Sequence, residues 1–143
     1  MNKLISVVVV ATSFAVGTAF AQVPAKPDVA GDDQAGVLNE CYKIVGVQPR
    51  TALQPCLERM TREATSQMNI AYKKMEADTK AIDSSATAKA LTSLLASQKA
   101  FEKFKDAQCQ WEGDASMGGS GSGDAASSCK VDLIRWRTKQ LSD

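Results

Sequence analysis

The stretch "TALQPCLERMTREATSQMNIAYKKMEADTKAI" (51–82) decides the fold. Cys56, Leu57, Met60, Ala64, Met68, Ala71, Tyr72, Met75, Thr79 and Ile82 recur at steps of three and four. That is the period of an amphipathic helix. After Pro55 no glycine or proline interrupts before Asp83, so the stretch reads as one helix about 40 Å long. Its start is ambiguous. Thr51 followed by Gln54 resembles a capping box, whereas a start at Gln54 puts Pro55 at the first helical position, where proline costs little. A short first turn from Thr51 that tightens into the main helix reconciles the two.

Downstream, "DSSAT" (83–87) offers turn and N-cap chemistry in series. A second long helix follows, with Leu91, Leu94, Leu95, Gln98, Phe101, Phe104, Gln108 and Trp111 as its stripe. A connection this short makes the two long helices antiparallel neighbours. The glycine-rich "GDASMGGSGSGD" (113–124) comes next. Asp124 or Ser127 can then cap a last helix, with Cys129, Leu133, Trp136 or Arg137, and Leu141 inward. Upstream, "AGVLNECYKIVG" (35–46) makes a short helix with Val37, Leu38, Cys41, Tyr42 and Val45 on one face and Gly46 as its stop. "VQPR" (47–50) is a turn. No segment alternates with period two for long enough to be a strand. The expected fold is all-α: a long antiparallel helical hairpin with short flanking helices and two disulfides, in a single domain over 35–143.

The first 21 residues read as a leader: Lys3, an apolar run from Leu4 to Val16, and Ala19-Phe20-Ala21 as a small-x-small cleavage site. Residues 22–34, with two prolines and no apolar period, read as a flexible N-terminal arm. No cysteine follows the apolar run closely enough for a lipid anchor, so a periplasmic or secreted protein without stable membrane insertion is expected. In that setting the four cysteines, Cys41, Cys56, Cys109 and Cys129, read as two disulfides. Three connectivities are possible. Local pairing, Cys41–Cys56 and Cys109–Cys129, closes the shortest loops and is favoured.

The 143 residues include no histidine. Ser-His-Asp and Cys-His nucleophile systems and histidine metal sites are therefore excluded. Lys and Arg number 17 against 16 Asp and Glu, and losing Lys3 with the leader leaves about zero net charge. There is no basic stripe for nucleic acid. The glycine loop lacks the preceding strand and GK[ST] of a phosphate loop. Ser127-x-x-Lys130 matches the SxxK spacing of acyl-enzyme hydrolases but nothing else of that signature. Asp114 and Asp124 lack the EF-hand pattern. Neither enzyme activity nor any metal or cofactor is expected. Trp111 and Trp136 both fall on helix stripes, which points to core packing.

"LLASQKAFEKFKDAQC" (94–109), "GGS" (118–120) and "CKVDLIRWRTKQL" (129–141) together resemble the C-terminal half of the LprI-type lysozyme inhibitor family. Gln98, Phe104, Asp106, Cys109, Gly118, Gly119, Ser120, Cys129, Leu133, Arg137 and Leu141 match its pattern. Thr51, Cys56, Met68, Asn69 and Tyr72 look similar to its upstream portion. Phe101 stands where that family usually has tryptophan, Lys105 where it has arginine, and Ser97 where it has alanine. The resemblance implies an exported, non-catalytic protein that binds a lysozyme-type cell-wall hydrolase. Such enzymes work with carboxylates in a cleft, and a glycine-rich projection allows close backbone approach. Met117, Gly118, Gly119 and Ser120 are the expected contacts, with Trp111 as a flanking anchor. The competing reading is an envelope interaction or immunity-type module for a different protein effector.

Overall fold

A computed structural model describes residues 36–143. The expected leader over 1–21 and arm over 22–34 lie outside the described residues. The described chain is all-α: α1 (Val37–Val45), a 3-10 turn (Arg50–Ala52), α2 (Leu53–Lys80), α3 (Thr87–Ala115) and α4 (Ser122–Ser142). α2 and α3 are the long antiparallel pair. α1 is a short flank of nine residues, and α4 runs to 21. Both disulfides are formed with the local pairing, Cys41–Cys56 and Cys109–Cys129.

The start of α2 is the short turn that tightens into the helix. The Thr51 capping box is not made: Ala52 holds the N-cap position, with no side-chain bond. Pro55 is the third helical residue rather than the first. It is tolerated there because the first four N–H groups of a helix have no partner within it. Gly46 ends α1 at φ 57°, a left-handed turn that favours glycine. Between α2 and α3, Ser84 Oγ accepts from the Ala86 N–H at 3.1 Å and Thr87 Oγ1 donates to the Ile82 carbonyl at 2.7 Å. The serine and threonine chemistry of 83–87 thus tightens the turn and leaves the N-cap position to Ala86.

The core sits between α1, α2 and α4. Val37 and Cys41, Leu53 and Leu57, and Val131 and Ile134 are its most enclosed side chains. α3 contributes Phe101 to this cluster. α1 has no side-chain cap of its own. α4 supplies one across the interface: Ser128 Oγ accepts from the Leu38 N–H at 3.0 Å, and Asp132 Oδ1 from the Val37 N–H at 3.4 Å. Arg135 donates both Nη groups to Glu40 and so fastens the same helix.

α4 packs along both long helices, while α2 and α3 meet over a shorter contact. This sets the roll of α3. Cys109 and Gly113 face α4, and a Cβ at Gly113 would sit 3.2 Å from Ala126 Cβ and 3.3 Å from the Ser122 carbonyl oxygen. With Phe101, Cys109 and Gly113 turned inward, Leu95, Phe104 and Trp111 cannot follow, and all three are exposed. Leu95, Phe104 and Trp111 therefore leave the inward stripe expected of them. Trp136 is also half exposed, packed against Phe101 with ring centroids 6.3 Å apart, and Arg137 takes the inner position. Arg137 Nε donates to Gln98 Oε1 at 3.1 Å and Nη2 to Ser97 Oγ at 3.0 Å. α4 ends one turn beyond that point. Among the described residues none from 72 to 100 is buried, so the far end of the hairpin is a two-helix arm.

Candidate functional site

The glycine-rich stretch is shorter as a loop than as a composition. Gly113 to Ala115 belong to α3 and Ser122 to Asp124 to α4, which leaves 116–121 as the corner between them. The helix start also moves: Asp124 and Ser127 lie inside α4, and the N-cap position is Gly121, without a side-chain bond. Asp124 has a different job. It is 4 % exposed, and a buried aspartate needs partners. Arg50 donates to its Oδ2 through Nε at 3.0 Å and Nη2 at 2.8 Å, and Gln54 Nε2 donates to its Oδ1. Arg50 Nη1 reaches on to Ser120 Oγ at 3.3 Å. The hydrogen bond to Asp124 raises the Arg50 pKa further above its ordinary value. The start of α2 thereby holds the corner by its base.

Glycine at 121 is what lets that guanidinium in, because a Cβ there would lie 2.7 Å from Arg50 Nη2. On the other side Ser122 Oγ donates to the Gly113 carbonyl at 2.7 Å. The corner also closes on itself. The amides of Met117, Gly119 and Ser122 donate to the carbonyls of Asp114, Ser116 and Gly119 at 2.9, 3.1 and 3.0 Å. Its apex turns through left-handed backbone at Met117 (φ 51°) and Gly118 (φ 76°). For methionine that conformation costs roughly 1 kcal/mol. The Met117 side chain is 91 % exposed. The result is a fastened apolar tip, flanked by Gly118, Gly119 and Ser120 with little side chain in the way.

The structure brings Met117, Gly118, Gly119 and Ser120 together at this tip. Trp111 is not part of it. It lies on α3 more than a turn away, 62 % exposed and seven residues on from the half-exposed Phe104. Arg50, Gln54 and Asp124 were absent from the sequence-based candidates. Arg50 reads as part of a turn and Asp124 as a cap, and no spacing links residues 74 apart. Ser127 and Lys130 line an open recess with Glu58, Thr61 and Arg62.

Most residues that carry the family resemblance cement the helices. Gln98 and Arg137 bond each other, Gln98 Nε2 points at Met68 Sδ at 3.6 Å, and the Arg137 guanidinium lies 5.7 Å from the Phe101 ring centre. Cys109 and Cys129 tie the same two helices. Only Gly118, Gly119 and Ser120 of that pattern reach the tip. The family model described as "Lysozyme inhibitor LprI" matches residues 45–141. No curated protein and no solved structure matches the chain. With the Cys109–Cys129 tie, the Gln98–Arg137 bridge and the corner all inside the matched span, the chain belongs to the LprI lysozyme inhibitor family.

Proposed function

We propose that this protein is exported to the periplasm or beyond and blocks a lysozyme-type cell-wall hydrolase by non-catalytic binding, with the corner 116–121 entering the cleft. The observation that carries the reading is Met117: a non-glycine residue in left-handed backbone, almost fully exposed, at the apex of a corner fastened by Arg50, Asp124 and a disulfide. Backbone held in a costly conformation by its surroundings is a mark of functional sites. A rigid tip loses little entropy on binding. A buried glycoside-hydrolase cleft offers carboxylates and sugar-binding apolar surface, and the tip offers free backbone and one thioether. Membership of an inhibitor family supports the same partner class. The disulfides fit an oxidising compartment.

The test is lysis of cell-wall substrate by a panel of lysozymes with and without the purified protein. Inhibition of at least one class is expected. Met117→Asn keeps a residue that tolerates left-handed backbone and removes the apolar tip, and it should weaken inhibition about thirtyfold or more, the scale of a binding hot spot. No inhibition and no complex with any class would sink the reading. Full inhibition after 116–121 is replaced, with Gly113 and Ser122 kept, would move the interface to a helical face.

A further inference from the structure

α3 carries a second apolar stripe on its solvent side. Ala100, Phe104, Ala107 and Trp111 recur at steps of three and four, and all four are exposed. Phe104 and Trp111 are 52 % and 62 % exposed. This is the seam pattern by which one helix packs on another, and among the described residues nothing covers it. Two exposed aromatics on one helix face, with alanines between and beside them, make an apolar strip rather than single scattered side chains.

The charges beside the seam say what covers it. Beside the seam stand, in order, Lys99, Lys103 and Asp106, and Asp114 follows Trp111 at the seam's end, all exposed. Among the described residues neither Lys99 nor Lys103 has an ion-pair partner. Lys99 and Asp114 are too far apart on one helix to meet, roughly 22 Å at 1.5 Å per residue. The charges are positive at one end of the seam and negative at the other, which makes the face complementary to itself turned end for end.

We infer that this face of α3 pairs with the same face of a second copy of the chain, antiparallel about a two-fold axis near Lys105 and Asp106. One register levels the apolar residues and brings the charges close. It sets Phe104 against Ala107 of the second copy and Trp111 against Ala100, a large side chain over a small one at each layer. In that register Lys99 and Asp114, and Lys103 and Asp106, each stand two residues off level, roughly 3 Å along the axis, within the reach of a lysine side chain. The two-fold axis repeats every contact, as an isologous interface requires. Alanine at alternate seam positions lets the helix axes come close enough for the rings to reach across. Trp111 is thereby assigned to the second copy rather than to the hydrolase, and the corner at 116–121 stands just beyond the end of the seam.

Sedimentation of the purified protein from micromolar to millimolar concentration tests this with no hydrolase present, so the outcome is independent of the inhibitor reading. A concentration-dependent dimer is expected. Trp111→Glu should weaken it at least tenfold, with the helical circular dichroism unchanged. Asp114→Lys alone should weaken it, and Lys99→Glu combined with Asp114→Lys should restore it. A monomer at millimolar concentration would overturn the inference. So would a dimer indifferent to Trp111→Glu, or a charge reversal that gives no rescue. A monomeric parent protein that loses inhibition on Trp111→Glu would hand the stripe to the hydrolase.

Discussion

Asp132 illustrates a residue whose role and cost oppose each other. Its carboxylate accepts from the Val37 N–H at the start of α1, beside Gly36. Partial burial there pushes its pKa above the ordinary 3.8, against the Val37 hydrogen bond and Arg135, while Glu40 and Glu112 push the same way as burial. A carboxyl with a raised folded pKa binds protons more tightly folded than unfolded. Its contribution to stability therefore falls as pH rises from 3.8 through the raised value. Asp132→Asn removes that dependence. Urea unfolding across acidic to neutral pH should show the variant gaining on the parent protein as pH rises through that window, and losing the gain below 3.8. Asp124 is the contrasting case, since its burial comes with Arg50 and Gln54 on both oxygens. Neither pairing was legible in the sequence. An aspartate near a helix start reads as a cap, and only the packed fold brings residue 50 or 37 beside it.

At the scale of elements, legibility followed the strength of the period. α2 and α1 were readable because each has one dominant apolar stripe, although Tyr42 and Ile82, read as part of those stripes, are exposed. Gly46 and the short turn before Leu53 were readable because backbone chemistry marks them locally. α3 misled because it has two stripes, and no local rule ranks them. The Cys109–Cys129 tie and the close approach at Gly113 choose the inner one. α2 and α3 also differ along their length. Their far ends, joined through 81–86, bury nothing, and the exposed i,i+4 pairs there, Lys74–Asp78 and Glu76–Lys80, are worth a few tenths of a kcal/mol each at most. Amide exchange should therefore be fastest in the arm around 78–92. It should be slowest around 56–68 on α2 and 129–136 on α4, where the buried residues cluster. Uniform protection along α2 would show that something covers the arm.

For the whole molecule, the two disulfides act at different places. Cys41–Cys56 binds the small helix α1 to the start of α2, and Cys109–Cys129 binds α3 to α4 below the corner. Closing loops of 15 and 20 residues contributes about 3 kcal/mol each in the chain-entropy account. Replacing either pair with alanine should lower the unfolding free energy by about that amount, read from denaturant midpoints. Only the Cys109, Cys129 pair should also weaken hydrolase inhibition, because it anchors the corner. Equal loss of inhibition from both would detach the activity from the corner.

Each bridge joins cysteines that are consecutive in the chain. A polypeptide that is made N-terminus first presents Cys41 and Cys56 before either of the later two. Oxidation in order of appearance then yields the native pairs directly. By that route the pairs need an electron acceptor and no reshuffling of mispaired sulfurs.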